Sequence, residues 1–314
     1  MTRVCVASRS FSRHPVLRQE LLSKFPDVTF NDQGTSLTDQ GLIDFVSGHS
    51  HAITALEKLD ATFFNALPDL KIVSKYGVGF DMIDVTAMKQ AGVYLGWTGG
   101  SNKRSVSELV IAYALNMLRH IPVLNADVKS GSWQQIKGQQ LTGKTVGIIG
   151  FGHVGKDLAV LLQAFGCEVL AHDILNFPDF CQTHDIPQTD LNNLLNQSDI
   201  VTLHLPLDDS TKNILGPEQL KIMKPGSLLI NAARGGLVDE TAVKNALQSG
   251  QLSGAAFDVF SCEPPEDIDL IKLANFLVTP HIGGSTDEAI LAMGRAAIAG
   301  LRNNQIPEVG VFPK

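Results

Sequence analysis

Short runs rich in Val, Ile, Leu and Phe alternate with helix-length stretches along nearly the whole chain. The first third carries "VCVAS", "VTF", "AITAL", "KIVSKYG" and "VYLGW"; a second series begins at "KTVGIIGFG" and continues through "EVLAHD", "DIVTLHLP", "SLLINAAR", "GAAFDVF" and "FLVTP". Strand–helix alternation of this kind predicts an α/β fold with parallel sheets. Between the two series lies "SNKRSVSELVIAYALNMLRHIPVLNADVK". Its stretch Ser105-Val-Ser-Glu108 reads as a capping box that opens a long helix. The helix from Ser105 to Leu118 is apolar on most faces, which predicts burial between domains or at a subunit interface. A last helical pattern, "DEAILAMGRAAIAGLRNN", runs nearly to the end.

The chain has 314 residues, 44% hydrophobic and 18% charged, enough for a substantial core and two domains. Its formal charge is −7, from 25 basic and 32 acidic residues with no long basic block, which argues against nucleic acid or an anionic membrane as the main ligand. No apolar stretch reaches spanning length, and "MTRVCVASRSFSRHP" is too short and polar for a secretory signal. Cys5, Cys167, Cys181 and Cys262 lack metal-ligand spacing. The expectation is a cytoplasmic protein with reduced thiols and no metal.

"TVGIIGFGHVGKDLAVLLQAFG" places Gly150, Gly152 and Gly155 after a strand and at the mouth of a helix. In a G-x-G-x-x-G dinucleotide site the first glycine makes the turn, the second admits a pyrophosphate and the third packs helix on strand. The helix N-terminus then faces negative charge. Asp173 ends the next strand, 23 residues after Gly150, where a carboxylate accepts from ribose hydroxyls and repels a 2′-phosphate. The combination predicts NAD rather than NADP. His172 reads as packing or solvated.

Three ionisable residues follow later strands: Arg234 in "LLINAARGGLVDE", Glu263 in "AAFDVFSCEPPE" and His281 in "VTPHIGGST". Alone, each has a structural explanation: a helix cap, an exposed acid, a turn filler. Ligands of open parallel sheets bind beyond the carboxyl ends of the strands, so the three converge beside the nucleotide cradle. Arg234 offers a planar fork for a carboxylate, His281 exchanges a proton near neutral pH, and Glu263 stabilises the imidazolium. Those are the parts needed to interconvert a 2-hydroxy acid and a 2-oxo acid.

"GIIGFGHVG…D", "NAARGGLVDE", "DVFSCEPP" and "TPHIGGST", in that order, resemble the D-isomer-specific 2-hydroxyacid dehydrogenase family; "LKIVSKYGVGFDMID" and "SNKRSVSEL" resemble its substrate-domain and hinge motifs. The resemblance implies two Rossmann-like or flavodoxin-like domains. A nucleotide domain over 99–287 is inserted into a discontinuous substrate domain, 1–98 and 288–314. It implies a homodimer, Arg234, Glu263 and His281 as catalytic residues, and Arg234 and His281 also near the cofactor. His153 and Val154 are then expected along the pyrophosphate, and Leu205, Pro206, Ala232 and Gly284 lining the cofactor. Asp258 is expected at the nicotinamide amide. Lys75, Val78, Gly79, Asn102 and Arg234 are expected at the substrate.

Within the family the likeness is greatest to the 3-phosphoglycerate dehydrogenase branch. Thr54 stands where an arginine holds the substrate phosphate in that branch, and Lys75 where arginine is frequent. Lys103 and Arg104 are added charges, read equally as anion ligands or as solvated residues at a helix start. The chain stops soon after its last helix, so no regulatory domain is expected. Two alternatives stand beside a phosphoglycerate substrate: a glyoxylate or hydroxypyruvate reductase, and a NAD-sensing scaffold like the C-terminal-binding-protein co-repressors. Formate dehydrogenase carries glutamine where Glu263 stands.

Overall fold

The computed structural model describes residues 2–308, so the end of the expected 288–314 segment lies outside the described residues. The chain forms two compact units, one comprising the stretch up to Asn102 and the stretch from Thr286 onward, the other Lys103–Ser285. Each is built on an all-parallel sheet.

In the first unit β1 (Val4–Val6), β2 (Val28–Phe30), β3 (His51–Thr54), β4 (Ile72–Lys75) and β5 (Tyr94–Gly96) lie in the order β2-β1-β3-β4-β5. Phe30, Val6, Ile53, Ser74 and Gly96 are paired across the sheet in one row. The helix Asp287–Gly300 joins this unit, and Thr286 caps it by accepting from Ala289 N at 3.1 Å. It approaches the sheet closely because two glycines meet: a Cβ on Gly96 would collide with the Gly300 carbonyl oxygen. Ser74 Oγ, buried, donates to Ala297 O at 2.6 Å from the same sheet face.

The second unit contains β6 (Thr145–Ile149), β7 (Glu168–His172), β8 (Ile200–Leu203), β9 (Ser227–Asn231), β10 (Leu252–Phe257) and β11 (Phe276–Val278), in the order β11-β10-β9-β8-β6-β7. The order reverses at β6, the point where open α/β sheets leave a crevice. Every residue of β8 and β9 is buried, which explains why these strands read as continuous apolar runs without alternation.

The long helix spans Lys103–Leu118 and begins two residues before the expected capping box. Ser105 is inside the helix and buried, and its hydroxyl donates to Gly283 O at 2.6 Å instead of capping. Val106, Val110, Ile111, Tyr113, Ala114 and Leu118 pack with Ile148, Leu158, Leu162 and Ile230, so the core of this unit absorbs the helix's apolar faces. One group of exposed apolar side chains follows directly after it in the chain. The helix Ile121–Lys129 has no buried residue, and Ile121, Val123, Val128, Trp133 and Ile136 are exposed. Among the described residues no single helix is long and apolar enough to cross a membrane.

The glycine contact under the C-terminal helix gives a direct test. Gly96→Ala should destabilise the protein by about 1–3 kcal/mol, because backbone has to move to admit the methyl group. Gly41→Ala, inside the helix Asp39–Val46 with nothing within 4 Å of the new Cβ, should stabilise it by roughly 0.5–1 kcal/mol. Urea denaturation of both variants measures the contrast.

Candidate functional site

The last residues of the six strands in the second unit pair across one row: His172, Ile149, Leu203, Asn231, Phe257 and Val278. The residues one step further are Asp173, Gly150, His204, Ala232, Asp258 and Thr279. The ladder continues into this step through Gly150 N to His172 O at 2.8 Å, His204 N to Ile149 O at 2.7 Å and Asp258 N to Asn231 O at 2.9 Å. Polar chemistry is thus presented along one edge by strands whose bodies are apolar.

Gly150 has φ 94°, and a Cβ there would lie 2.6 Å from the His204 carbonyl. A Cβ on Gly155 would strike Gly150 O, whereas Gly152, at the N-cap of the helix His153–Ala164, has open space on its Cβ side. Two glycines are therefore required by packing and the third leaves an approach to the helix N-terminus. Asp173 Oδ2 accepts from Phe151 N at 2.6 Å and Oδ1 from Leu175 N at 2.8 Å, so the acid also ties down the glycine loop. These residues fit a dinucleotide: open backbone donors for its phosphates and a fixed carboxylate beyond them. Val154 packs on the core beneath the loop. Desolvation, with Lys103 and Lys156 nearby, holds the His153 imidazole below its usual pKa. Leu205 and Ala232 border the apolar layers, and Pro206 O accepts from Thr211 Oγ1 at 2.8 Å. His172 Nδ1 bonds Thr189 O at 2.9 Å, a packing role.

Arg234 follows β9 in a turn shaped by Asn231, whose side chain accepts from Ala233 N at 3.1 Å and donates to Arg234 O at 2.8 Å. The next residue, Gly235, passes so close to the Phe260 backbone that any Cβ would collide with it. Arg234 Nη1 donates to Ala233 O at 2.7 Å. Glu263 Oε1 accepts from Phe260 N at 3.1 Å, which orients the carboxylate, and Oε2 lies 2.9 Å from His281 Nδ1. An ionised carboxylate only accepts, so Nδ1 carries the proton and Nε2 is left for proton exchange with a substrate. His281 is half-exposed and has φ 55°, a backbone state uncommon for a side chain of this size. Gly284 lies in the same turn, and Asp258 is buried beneath it.

In the other unit Lys75 is buried at the end of β4, and its ammonium donates to Ala55 O and to Tyr76 O at 3.4 Å. Val78 O accepts from Trp97 Nε1 at 2.7 Å; Gly79 follows it, and Asn102 is partly buried. Arg104 forms a two-pronged pair with Asp157, both contacts 2.9 Å, and so belongs to helix docking rather than to a free anion site. Neither His204 nor Asn231 is given a role by the sequence motifs. The signal for both is their place at or one step past a strand end.

The family profile described as D-isomer specific 2-hydroxyacid dehydrogenase, NAD binding domain, matches residues 111–283. The chain is 39% identical over 249 residues to the hydroxypyruvate reductase of Thermotoga maritima, covering 77% of this chain and 80% of the relative. It is 34% identical over 282 residues to the D-3-phosphoglycerate dehydrogenase of Methanocaldococcus jannaschii, covering 88% of this chain but only 54% of that relative, so it spans about half of the longer protein. Among solved structures, a glyoxylate reductase from Paecilomyes thermophila superposes with TM-score 0.87 at 26% identity, over 96% of this chain and 94% of the other.

His204 supplies a pH test. Its Nε2 lies 3.0 Å from Thr202 Oγ1, and burial pushes the imidazole pKa down to about 3. An unfolded histidine takes a proton near its ordinary value of about 6.5. Between those values the unfolded state binds the extra proton, so stability falls as pH is lowered from about 6.5 toward 3. Urea midpoints at pH 7 and pH 5 should drop more for wild type than for His204→Gln, and equal drops would remove this residue from the account.

Proposed function

The chain belongs to the D-isomer specific 2-hydroxyacid dehydrogenases, and we propose that it transfers a hydride between NAD(H) and a short D-2-hydroxy acid/2-oxo acid pair. The observation that carries this reading is His281 Nδ1 on Glu263 at 2.9 Å, at the same sheet edge as Arg234 and the glycine cradle. NAD, when bound, supplies or takes the hydride. Arg234 clamps the substrate carboxylate with its planar fork. In reduction His281 Nε2–H gives its proton to the substrate oxygen; in oxidation the neutral nitrogen takes one from the hydroxyl. Glu263 keeps the proton on Nδ1 and favours the cationic ring while it exists. Asp173, followed by the exposed Ile174 and Leu175, supports NAD over NADP.

For the substrate we favour an unphosphorylated acid of the hydroxypyruvate or glyoxylate type. Thr54 offers no cation, Arg104 is paired with Asp157, and Lys75 is turned onto backbone carbonyls. A phosphorylated substrate, as the name of the Methanocaldococcus relative suggests, is the second reading, with Lys103 as its remaining support. The relatives' names are those of reductases and dehydrogenases, which leaves the scaffold reading without support of its own. We also propose a cytoplasmic homodimer. The free thiols support the compartment, and the exposed Ile121, Val123, Val128, Trp133 and Ile136 support the assembly.

A panel of 2-oxo acids with NADH and NADPH tests the activity. Hydroxypyruvate or glyoxylate should exceed pyruvate and 3-phosphohydroxypyruvate in kcat/KM, with NADH ahead of NADPH. His281→Ala should lower kcat by about 10²–10⁴-fold while NADH binding stays near wild type. No turnover of any acid in the panel, or full turnover by His281→Ala, would refute the assignment. Light scattering tests the assembly: wild type should give twice the chain mass, and Trp133→Asp combined with Val128→Asp should shift it toward monomer.

A further inference from the structure

The turn that carries His281 is fastened from below by a buried carboxylate. Asp258 is 1% exposed; its Oδ1 accepts from Ile282 N at 2.7 Å and from Thr279 Oγ1, and its Oδ2 accepts from Gly283 N at 2.7 Å. Its own carbonyl accepts from His281 N at 2.9 Å. Asp258 therefore bonds residues on both sides of the histidine and the histidine's own N–H.

A fourth group stands behind these. Tyr113, in the helix Lys103–Leu118, is 2% exposed, and its hydroxyl meets Thr279 Oγ1. The threonine has a single hydroxyl proton and gives it to Asp258, so Tyr113 donates to Thr279. Burial pushes the tyrosine hydroxyl above its usual range and keeps it a donor. The result is an ordered chain, Tyr113 to Thr279 to Asp258 to the backbone of Ile282 and Gly283, with His281 held in the left-handed region at its centre. Such a backbone state persists where its surroundings over-determine it.

We propose that Tyr113 and Thr279 are positioning residues for hydride transfer, acting through Asp258 to hold the His281 imidazole in its proton-transfer geometry. The proposal rests on the reading of His281 as the proton-exchanging group. It gives a function to a buried polar chain that neither the cradle nor the carboxylate clamp uses. A displacement of about 1 Å at a reacting group can cost on the order of 10²-fold in rate, so loosening this chain should appear in turnover before it appears in binding.

The test is a double-mutant cycle on the full-length protein. Thr279→Val should lower kcat by about 10–100-fold with little change in NADH affinity or in the KM of the oxo acid. Tyr113→Phe should lower it less, and Thr279→Ser, which keeps the donor, should restore most of the activity. In a His281→Ala background Thr279→Val and Tyr113→Phe should each cost almost nothing further, because the group they position is gone. Wild-type kcat in both single variants, or the same fold-loss with and without His281, would overturn the proposal while leaving the histidine's role intact. Full turnover by His281→Ala would overturn both. If Thr279→Val does not fold, the Tyr113→Phe arm of the cycle decides.

Discussion

The in-register alignment of six parallel strands at their carboxyl ends is the constraint on which the site depends. His172, Ile149, Leu203, Asn231, Phe257 and Val278 share one row, and each is followed directly by a residue that shapes the crevice. A slip of one residue in any strand would turn its side chains to the opposite face and bury a polar group in an apolar layer. The two layers against the sheet forbid that slip: Ile148 and Ile230 belong to one, Ile149, Val201, Leu203 and Leu229 to the other. Packing well away from the crevice thus sets where Arg234, Asp258 and His281 emerge.

Backbone closeness is the second means of construction. Gly155 sits against Gly150 O, Gly150 against His204, and Gly235 against Phe260, so the loops at this edge are stacked on one another's main chain. Each loop then inherits its position from a neighbouring strand end instead of from its own side chains. Asn231 does the same for the arginine turn with a single amide, satisfying one donor and one acceptor of the backbone.

Much of this was legible in the sequence. Fully buried strands read as short apolar runs, the glycine spacing marks the turn into the helix His153–Ala164, and Asp173, Arg234 and His281 follow within three residues of strand ends that local pattern can locate, with Glu263 six residues past β10. What stayed hidden depends on residues distant in the chain. Ser105 looks like a cap because its neighbours suit one, but its partner is Gly283, 178 positions away. Tyr113 looks like core because its hydroxyl's partner, Thr279, is 166 positions away. Arg104 looked available because Asp157 is on another helix. The Lys103–Leu118 helix is apolar on most faces because a sheet and a second helix flank it, and periodicity alone does not separate that from an oligomer contact.

Asp173 joins two properties that are usually discussed apart. Its carboxylate grips Phe151 N–H and Leu175 N–H, so the group we propose to face the ribose is also the anchor of the glycine loop. If the acid sets nucleotide preference, losing it changes more than that: Phe151 N–H and Leu175 N–H lose their acceptor on Asp173 and the loop loses a tether. A lineage moving toward a phosphorylated nucleotide would first need a substitute acceptor for Phe151 N–H, and only then a cation. On that proposal one side chain carries both properties, so a single replacement there changes the loop together with the preference.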